Sequence, residues 1–255
     1  MHTPGATSLA NSTADRVIEI LLLFSYQKPV WTAVELAQRM DMPRSTIYRY
    51  LGSLKNSKMV VEQGEGLFKL GPKIQLLANV AKSSTSFLEV AREEMLRLSE
   101  RFNETVLFNE LVDFDIATLE RMESRQRIRL MSTRGSLLPW PATPSSKLFL
   151  AYAPPEKLEE FWSVSSPIAY TPHTIVDKAA LLAELADIVQ QGYAYSDEER
   201  DEGVVGVAVP VLTGSVCRYC LSMVAPKFRV DATTLEGMRL ALIETAGVIA
   251  RHYAD

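Results

Sequence analysis

The chain has 255 residues, 47% of them hydrophobic and 23% charged, which is typical of a globular protein of about one or two domains. No apolar run reaches the ~18 residues that a membrane span requires, and the first ten residues contain no Lys or Arg, as a secretory signal would. Two cysteines, Cys217 and Cys220, are too few for a disulfide framework, so the sequence predicts a cytoplasmic protein.

The charge is distributed unevenly along the chain. The net charge is −4, yet residues 1–80 contain nine Lys and Arg against six Asp and Glu, and the excess of acidic residues lies in the remainder. A small basic segment joined to a larger acidic one is typical of a nucleic-acid-binding domain attached to a domain of another kind.

The N-terminal segment contains three predicted helices and a hairpin. Ser12 or Thr13 caps the first helix, and Thr32 with Glu35 forms a capping box that opens the second, which runs through Met40.

A turn at Asp41-Met42 leads into the third helix, with Pro43 at its first helical position and its end near Lys58. Two short strands, 59–63 and 67–70, flank Gly64-Glu65-Gly66. This order predicts a winged helix-turn-helix over residues 12–72.

The third helix has an apolar side and a polar side. On a helical wheel the apolar residues are Ile47, Tyr50, Leu51 and Leu54, which we expect to face the core. The polar side suits a helix that lies in a DNA major groove. We expect groove contacts from Ser45, Tyr48 and Arg49. We expect phosphate contacts from Arg44, Thr46, Lys55 and Lys69. By itself Arg49 fits a solvated helix face equally well, and the ordered set of elements favours DNA.

A linker helix is predicted over residues 73–86, followed by an α+β domain over residues 87–255. Its predicted elements are a helix at 87–98, strands at 104–111, 115–122 and 127–131, helices at 144–153 and 177–191, a hairpin of 204–212 with 216–225, and a helix from about Asp231.

Over about residues 12–252, the chain resembles the IclR family of bacterial transcriptional regulators. In the N-terminal part the resemblance rests on Glu35-Leu36-Ala37, Pro43-Arg44-Ser45-Thr46, Arg49 and Phe68-Lys69-Leu70-Gly71. In the remainder it rests on Arg134-Gly135-Ser136, Leu138-Pro139, Lys147, Thr171-Pro172-His173-Thr174-Ile175, Gly192-Tyr193-Ala194, Asp197-Glu198-Glu199, Gly203, Ala208-Val209-Pro210-Val211 and Leu221-Ser222. Each motif is weak alone, and their shared order is specific.

The resemblance implies a winged helix, a linker helix and a GAF-like α+β domain that binds a small effector, with no cofactor. It also implies a homodimer or a dimer of dimers on double-stranded operator DNA, more often a repressor than an activator. The usual ligands of the family are small organic acids or aromatic breakdown products, and the controlled genes are often catabolic.

The resemblance also places an effector pocket. Carried over by motif, its positions are Pro144, Ser145, Ser196, Gly206, Ser222 and Val224, and only Ser222 keeps the residue type of family members that hold small carboxylic acids. With Trp140 and Tyr195 added, the pocket is expected to be more apolar and to take a larger effector, such as an aromatic acid. The competing interpretation is that these are ordinary core and loop residues.

Other patterns point to structure more than to chemistry. Cys217 and Cys220 have the spacing of a redox or zinc pair, but alternation along a strand would place them on opposite faces. Ser145-Ser146-Lys147 has the composition of a Ser–Lys nucleophile, but adjacent helical residues do not face each other, and helix capping after Pro144 explains the serines. The carboxylates of residues 197–202 could serve acid–base chemistry, but a solvated turn is favoured because they have no partner His. A basic edge for subunit contacts is the alternative to a solvated strand face for Arg121, Arg125, Arg127 and Arg129.

Two other classes of function stay open at this point. One is an enzyme that binds a small molecule and carries a winged helix that does not bind DNA. The other is a module that uses its winged helix to dock onto another protein.

Overall fold

The computed structural model describes residues 12–25, 28–64, 66–83, 86–126, 138–164, 167–214 and 216–254. The chain divides into two compact units, with the boundary at residues 85–86. The predicted strand at 127–131, with Arg127, Arg129 and the motif Arg134-Gly135-Ser136, lies outside the described residues, as does the tip residue Glu65 of the predicted hairpin.

In its described residues, the N-terminal unit contains four helices and three short strands. They are α1 (Thr13–Leu22), β1 (Val30–Thr32), α2 (Ala33–Arg39), α3 (Arg44–Asn56), β2 (Val60–Glu62), β3 (Leu67–Leu70) and α4 (Pro72–Ser83). The strands form an antiparallel sheet in the order β1-β3-β2. The β2–β3 hairpin was predicted; β1 was missed because a three-residue strand depends on pairing with the distant β3.

Local capping sets the helix starts in this unit. Ser12 caps α1 together with Asp15, and Thr32 caps α2 with Glu35 in the predicted reciprocal arrangement. Pro43 departs from the prediction, because it is the N-cap of α3 and not its first helical residue, with extended backbone at ψ 139°.

The core of the N-terminal unit includes the whole apolar side predicted for α3. All four residues, Ile47, Tyr50, Leu51 and Leu54, are buried. They pack in one cluster with residues of α1, α2 and the sheet, among them Ile20, Leu36 and Phe68. The wheel argument therefore holds, and the opposite side of α3 is left to the surface.

The C-terminal unit is a five-stranded antiparallel sheet with helices on both faces. Its elements are α5 (Ser86–Phe102), β4 (Thr105–Val112), β5 (Asp115–Met122), α6 (Pro144–Ala151), α7 (Pro155–Val164), α8 (Lys178–Gln191), β6 (Ala194–Asp197), β7 (Val204–Thr213), β8 (Val216–Pro226), a 3-10 turn (Lys227–Arg229) and α9 (Ala232–Ala254). The strand order is β5-β4-β8-β7-β6. Helix α7 and strand β6 were not predicted.

Each face of this sheet has its own core. On one face α5 and α9 pack against alternate residues of β4, β7 and β8, such as Phe108, Val207 and Leu221. On the other face α6, α7 and α8 bury Leu148, Phe161 and residues of the same strands. Because both faces are covered, β7 and β8 read as nearly continuous apolar runs.

The alternation argument for the two cysteines was wrong. The β7–β8 pairing shifts register between Val211 and Leu212, so that Tyr219 pairs with Val211 while Cys217 pairs with Leu212. This bulge places Cys217 and Cys220 in the same core cluster. Both are free and buried, and within the described residues no group of three or more His, Cys, Asp or Glu side chains suits a metal ion.

One residue in each of two charged sets is less solvated than predicted, whereas Arg125 and residues 200–202 are exposed as expected. The Arg121 side chain is only 9% exposed and lies 3.5 Å from a carboxylate oxygen of Glu123. In the acidic segment 197–202, Glu199 is buried.

In the part of the chain that the structure describes, no helix is both long and apolar enough to cross a membrane.

Candidate DNA-binding helix and effector site

The exposed side of α3 carries the three residues predicted to read the groove. Ser45, Tyr48 and Arg49 are all exposed, with Tyr48 at 54% in spite of its aromatic ring. The Arg49 guanidinium lies 5.4 Å from the ring centre of Tyr50, a contact with the tip of the side chain that a base contact would replace. Arg and Tyr side chains are among those that contact phosphates and base edges in protein–DNA complexes, so this exposed pair suits a DNA-binding surface.

The predicted phosphate contacts lie around this face. Arg44 is exposed and Thr46 half-buried in the first turn of α3, and Lys69 is exposed on β3. Lys55 is also exposed, but its ammonium forms an ion pair with Glu62 on β2 and lies over the ring of Phe68. This pair ties the end of α3 to the hairpin, and any phosphate contact by Lys55 competes with it.

The six effector positions carried over by motif lie together between α6 and the sheet. Ser196, Gly206 and Val224 lie side by side in register across β6, β7 and β8. Pro144 of α6 covers this row, since a Cβ built on Gly206 would lie 3.0 Å from Pro144 Cγ and from Val224 Cγ1. The close approach of α6 to β7 therefore depends on a glycine at position 206.

The polar centre of this region is Asn109, which the sequence analysis missed. Its Nδ2 donates to Ser145 Oγ of α6 at 3.0 Å and to Ser222 Oγ of β8 at 3.3 Å, while Thr118 Oγ1 donates to its Oδ1 at 2.9 Å. Cys220 Sγ lies 3.8 Å from the same Nδ2. All five residues are buried. The available signal was an amide side chain within the apolar run of β4.

The two aromatic residues of the predicted pocket lie on opposite faces of the sheet, Trp140 against the α6 core and Tyr195 against the α9 core. The Trp140 indole N–H donates to the carbonyl of Phe114 at 2.8 Å, and its ring packs on Phe161. Tyr195 points to the α9 face of the sheet, because it alternates with Ala194 and Ser196 along β6. It lines a cavity of about 170 Å³ with Arg239 of α9.

Besides the uncharged hydrogen bonds of Asn109, helix α6 is held by two ion pairs of Lys147. Lys147 Nζ lies 2.6 Å from Glu199 Oε1 and 2.8 Å from Glu184 Oε1. Burial raises the pKa of Glu199, and the nearby Lys147 ammonium opposes this shift. Thr171 and Thr174 hold the same segment by donating to the carbonyls of Glu198 and Glu199. Lys147 therefore has a structural role in the Ser145-Ser146-Lys147 pattern. Ser146 of the same pattern completes the capping box of Thr143, as the capping interpretation predicted.

Family models match both units of the chain. The IclR helix-turn-helix domain matches residues 13–64, and the C-terminal domain of the bacterial transcriptional regulator IclR matches residues 80–251. The chain belongs to the IclR family. It is a transcriptional regulator with an N-terminal DNA-binding helix-turn-helix and a C-terminal effector-binding α+β domain, as the sequence predicted.

Individual IclR relatives agree with this assignment. The transcriptional regulator KdgR of Dickeya chrysanthemi is 32% identical over 69% of this chain, and the match spans 58% of KdgR. A crystal structure of an IclR regulator from Silicibacter sp. TM1040 superposes with a TM-score of 0.88 at 24% identity, covering 95% of this chain and 96% of that one. An IclR homologue from Microbacterium hydrocarbonoxydans, crystallised with 4-hydroxybenzoate, has a TM-score of 0.78 at 26% identity and covers 95% and 99%.

Proposed function

We propose that this IclR regulator is a cytoplasmic repressor that reads its operator with α3. A small organic acid bound between α6 and the sheet would change its affinity for that operator. The proposal that α3 binds DNA is supported by one observation. The apolar side of α3 is buried, and Ser45, Tyr48 and Arg49 are exposed on its opposite side. A helix anchored in this way presents a fixed polar face to a major groove.

The protein is proposed to act as a dimer, or a dimer of dimers. Leu76, Leu77 and Val80 of α4 are 46–67% exposed, and they lie within about one turn of each other on this helix. A second copy of the same helix would cover them, since a two-fold dimer pairs the same patch on both subunits. The symmetry would place two α3 helices in successive major grooves of a pseudo-palindromic operator.

The effector is proposed to be an acid with an apolar, aromatic body. Pro144 and Val224 place apolar side chains against Gly206, so this part of the site offers few polar partners to a compact acid. The neighbouring hydroxyls of Ser145 and Ser222 suit one acceptor head group. The 4-hydroxybenzoate complex of the Microbacterium homologue gives a precedent for an aromatic acid in a related protein.

A gel-shift experiment against the DNA upstream of the gene for this chain tests the proposal. We expect sequence-specific binding that weakens steeply between two salt concentrations, since phosphate contacts release counterions. Adding 4-hydroxybenzoate or benzoate is expected to change the shift, and pyruvate is not. Absence of a shift at both salt concentrations would favour a docking module. Turnover of an added acid would favour an enzyme, and tight binding of pyruvate alone would contradict the effector class.

A further inference from the structure

The buried amide of Asn109 has a defined orientation. Thr118 Oγ1, on the neighbouring strand β5, donates to Oδ1 at 2.9 Å, so the amino end of the amide faces Ser145 and Ser222. Thr118 is directly opposite Asn109 in the β4–β5 pairing, at a bulge between Phe108 and Asn109. The extra residue of this bulge is Leu119 on β5, so the bulge sets Thr118 opposite Asn109, where its hydroxyl reaches Oδ1.

This orientation determines whether each serine hydroxyl can act as a hydrogen-bond donor or as an acceptor toward a ligand. An amide nitrogen has two N–H groups, and the short contacts of Asn109 Nδ2 are with the two serine oxygens, while Cys220 Sγ is a longer third contact. Each serine is then an acceptor toward Asn109. The Ser222 O–H remains to donate, and the Ser145 O–H, which hydrogen-bonds the Cys220 sulfur, can turn to a carboxylate because a charged oxygen is the stronger acceptor. The nearby Cys220 is a neutral thiol, because burial raises its pKa to about 12, so no thiolate competes for these protons.

We infer that Asn109 is a positioning residue for effector recognition, oriented by Thr118, which presents Ser145 and Ser222 as two hydroxyl donors to a carboxylate. The inference rests on the proposed effector site. It adds two residues that lie outside the positions carried over from the family. It also gives a role to the amide that β4 buries at 0% exposure.

The test uses the full-length protein with Thr118→Val and Thr118→Ser. Valine keeps the branched shape and removes the donor to Oδ1, whereas serine keeps the donor and loses only a methyl group. We expect Thr118→Val to weaken binding of 4-hydroxybenzoate roughly tenfold in calorimetric titration and Thr118→Ser to retain most of it. Operator binding without ligand is expected to be unchanged in both variants.

A second readout does not depend on ligand affinity. In ¹⁵N–¹H spectra the side-chain amide of Asn109 is expected to exchange slowly with water, and Thr118→Val is expected to accelerate this exchange. Ser99→Ala is the matched control, because Ser99 is a buried hydroxyl that donates to the carbonyls of Glu104 and Glu123, away from this group. It should change neither ligand affinity nor the exchange of the Asn109 amide.

The outcomes separate this inference from the proposed effector site. If Ser145→Ala and Ser222→Ala weaken binding while Thr118→Val does not, the positioning role is wrong and the site stands. If neither serine variant changes binding of 4-hydroxybenzoate, the site itself is wrong. If neither 4-hydroxybenzoate, benzoate nor pyruvate binds, the assignment of a carboxylate ligand is overturned.

Discussion

Lys147 and Glu199 form a buried ion pair, with Nζ 2.6 Å from Oε1 and neither side chain more than 7% exposed. The pair links α6 to the segment that follows β6. Removing one partner of a buried pair leaves an uncompensated charge, so Lys147→Met is expected to lower the free energy of unfolding by about 3–5 kcal/mol.

Urea denaturation of Lys147→Met measures this loss. The double variant Lys147→Met/Glu199→Gln should recover part of it, because it removes both charges of the pair. Lys157→Met is the matched control, since Lys157 pairs with Glu160 at the surface one turn away, and its loss should stay below about 1 kcal/mol. Equal effects of Lys147→Met and the control would contradict a structural role for the buried pair.

Glu35 should make the N-terminal unit sensitive to acid. The Lys28 ammonium, 2.7 Å away, and the backbone and hydroxyl of Thr32 hold the pKa of its carboxyl at about 2, below the ordinary value of 4.5. A lowered folded-state pKa contributes stability above pH 4.5 that is lost as the pH falls toward 2. The stability difference between the parent chain and Glu35→Gln is therefore expected to shrink over this window.

The carboxyl ¹³C signal of Glu35 in the full-length protein gives the titration midpoint directly. Thr32→Val removes the hydroxyl hydrogen bond and should move this midpoint upward. A midpoint near the ordinary glutamate value in the parent chain would rule out the arrangement of Lys28, Thr32 and Glu35 seen here.

Features set by residues close in sequence were predictable. The capping box of Thr32 and Glu35 depends on residues three apart, and the buried side of α3 follows from the period of one helix. The approximate strands of the β7–β8 hairpin followed from two apolar runs around a glycine turn. Each of these needs only one element and its neighbours.

Features set by pairing between distant residues were not predictable. Lys147 and Glu199 are 52 residues apart, and Asn109 meets Ser145 and Ser222 across two other elements. The bulge that brings Cys217 and Cys220 to one face shows itself only in the register of two strands. A pattern of period two contains no information about where such a shift falls.

Gly206→Ala is expected to destabilise the C-terminal unit. The new Cβ would lie 3.0 Å from Pro144 Cγ and Val224 Cγ1 and 3.4 Å from the Met223 carbonyl oxygen, so the Pro144 and Val224 side chains must give way by a few tenths of an ångström. Overpacking of this kind costs about 1–3 kcal/mol, measurable by urea denaturation. Gly237→Ala in α9 is the control: its Cβ would meet Phe102 at an ordinary 3.6 Å, and the better helix former should leave stability equal or raised. A neutral Gly206→Ala would show that α6 does not rest on this glycine.

Arg49 and Lys69 are expected to differ in what they contribute to operator binding. Arg49→Ala should cost ~1–3 kcal/mol and relax the sequence preference, because a groove contact discriminates between bases. Lys69→Ala should weaken binding to all sequences alike and lower the salt slope by ~1, as loss of one phosphate contact does. Footprinting and salt titrations separate the two, and an unchanged footprint for Arg49→Ala would refute its place in the groove.

Lys55 should bind phosphate more strongly once its partner is removed. Its ammonium is paired with Glu62 across the gap between α3 and β2, and both side chains are partly exposed. Glu62→Gln frees the ammonium and removes a negative charge from the proposed DNA-facing side. The loss of one exposed ion pair costs the fold little. Operator affinity is therefore expected to rise severalfold at low salt, and the dependence of binding on salt to steepen by about one counterion.

Glu19→Gln provides the matched control for this charge change. Glu19 pairs with Arg16 within α1, so its substitution alters the net charge of the unit equally without freeing Lys55. A purely long-range effect of net charge would raise affinity in both variants. A gain confined to Glu62→Gln, and abolished by adding Lys55→Ala, would show that Lys55 exchanges Glu62 for a phosphate when the operator binds.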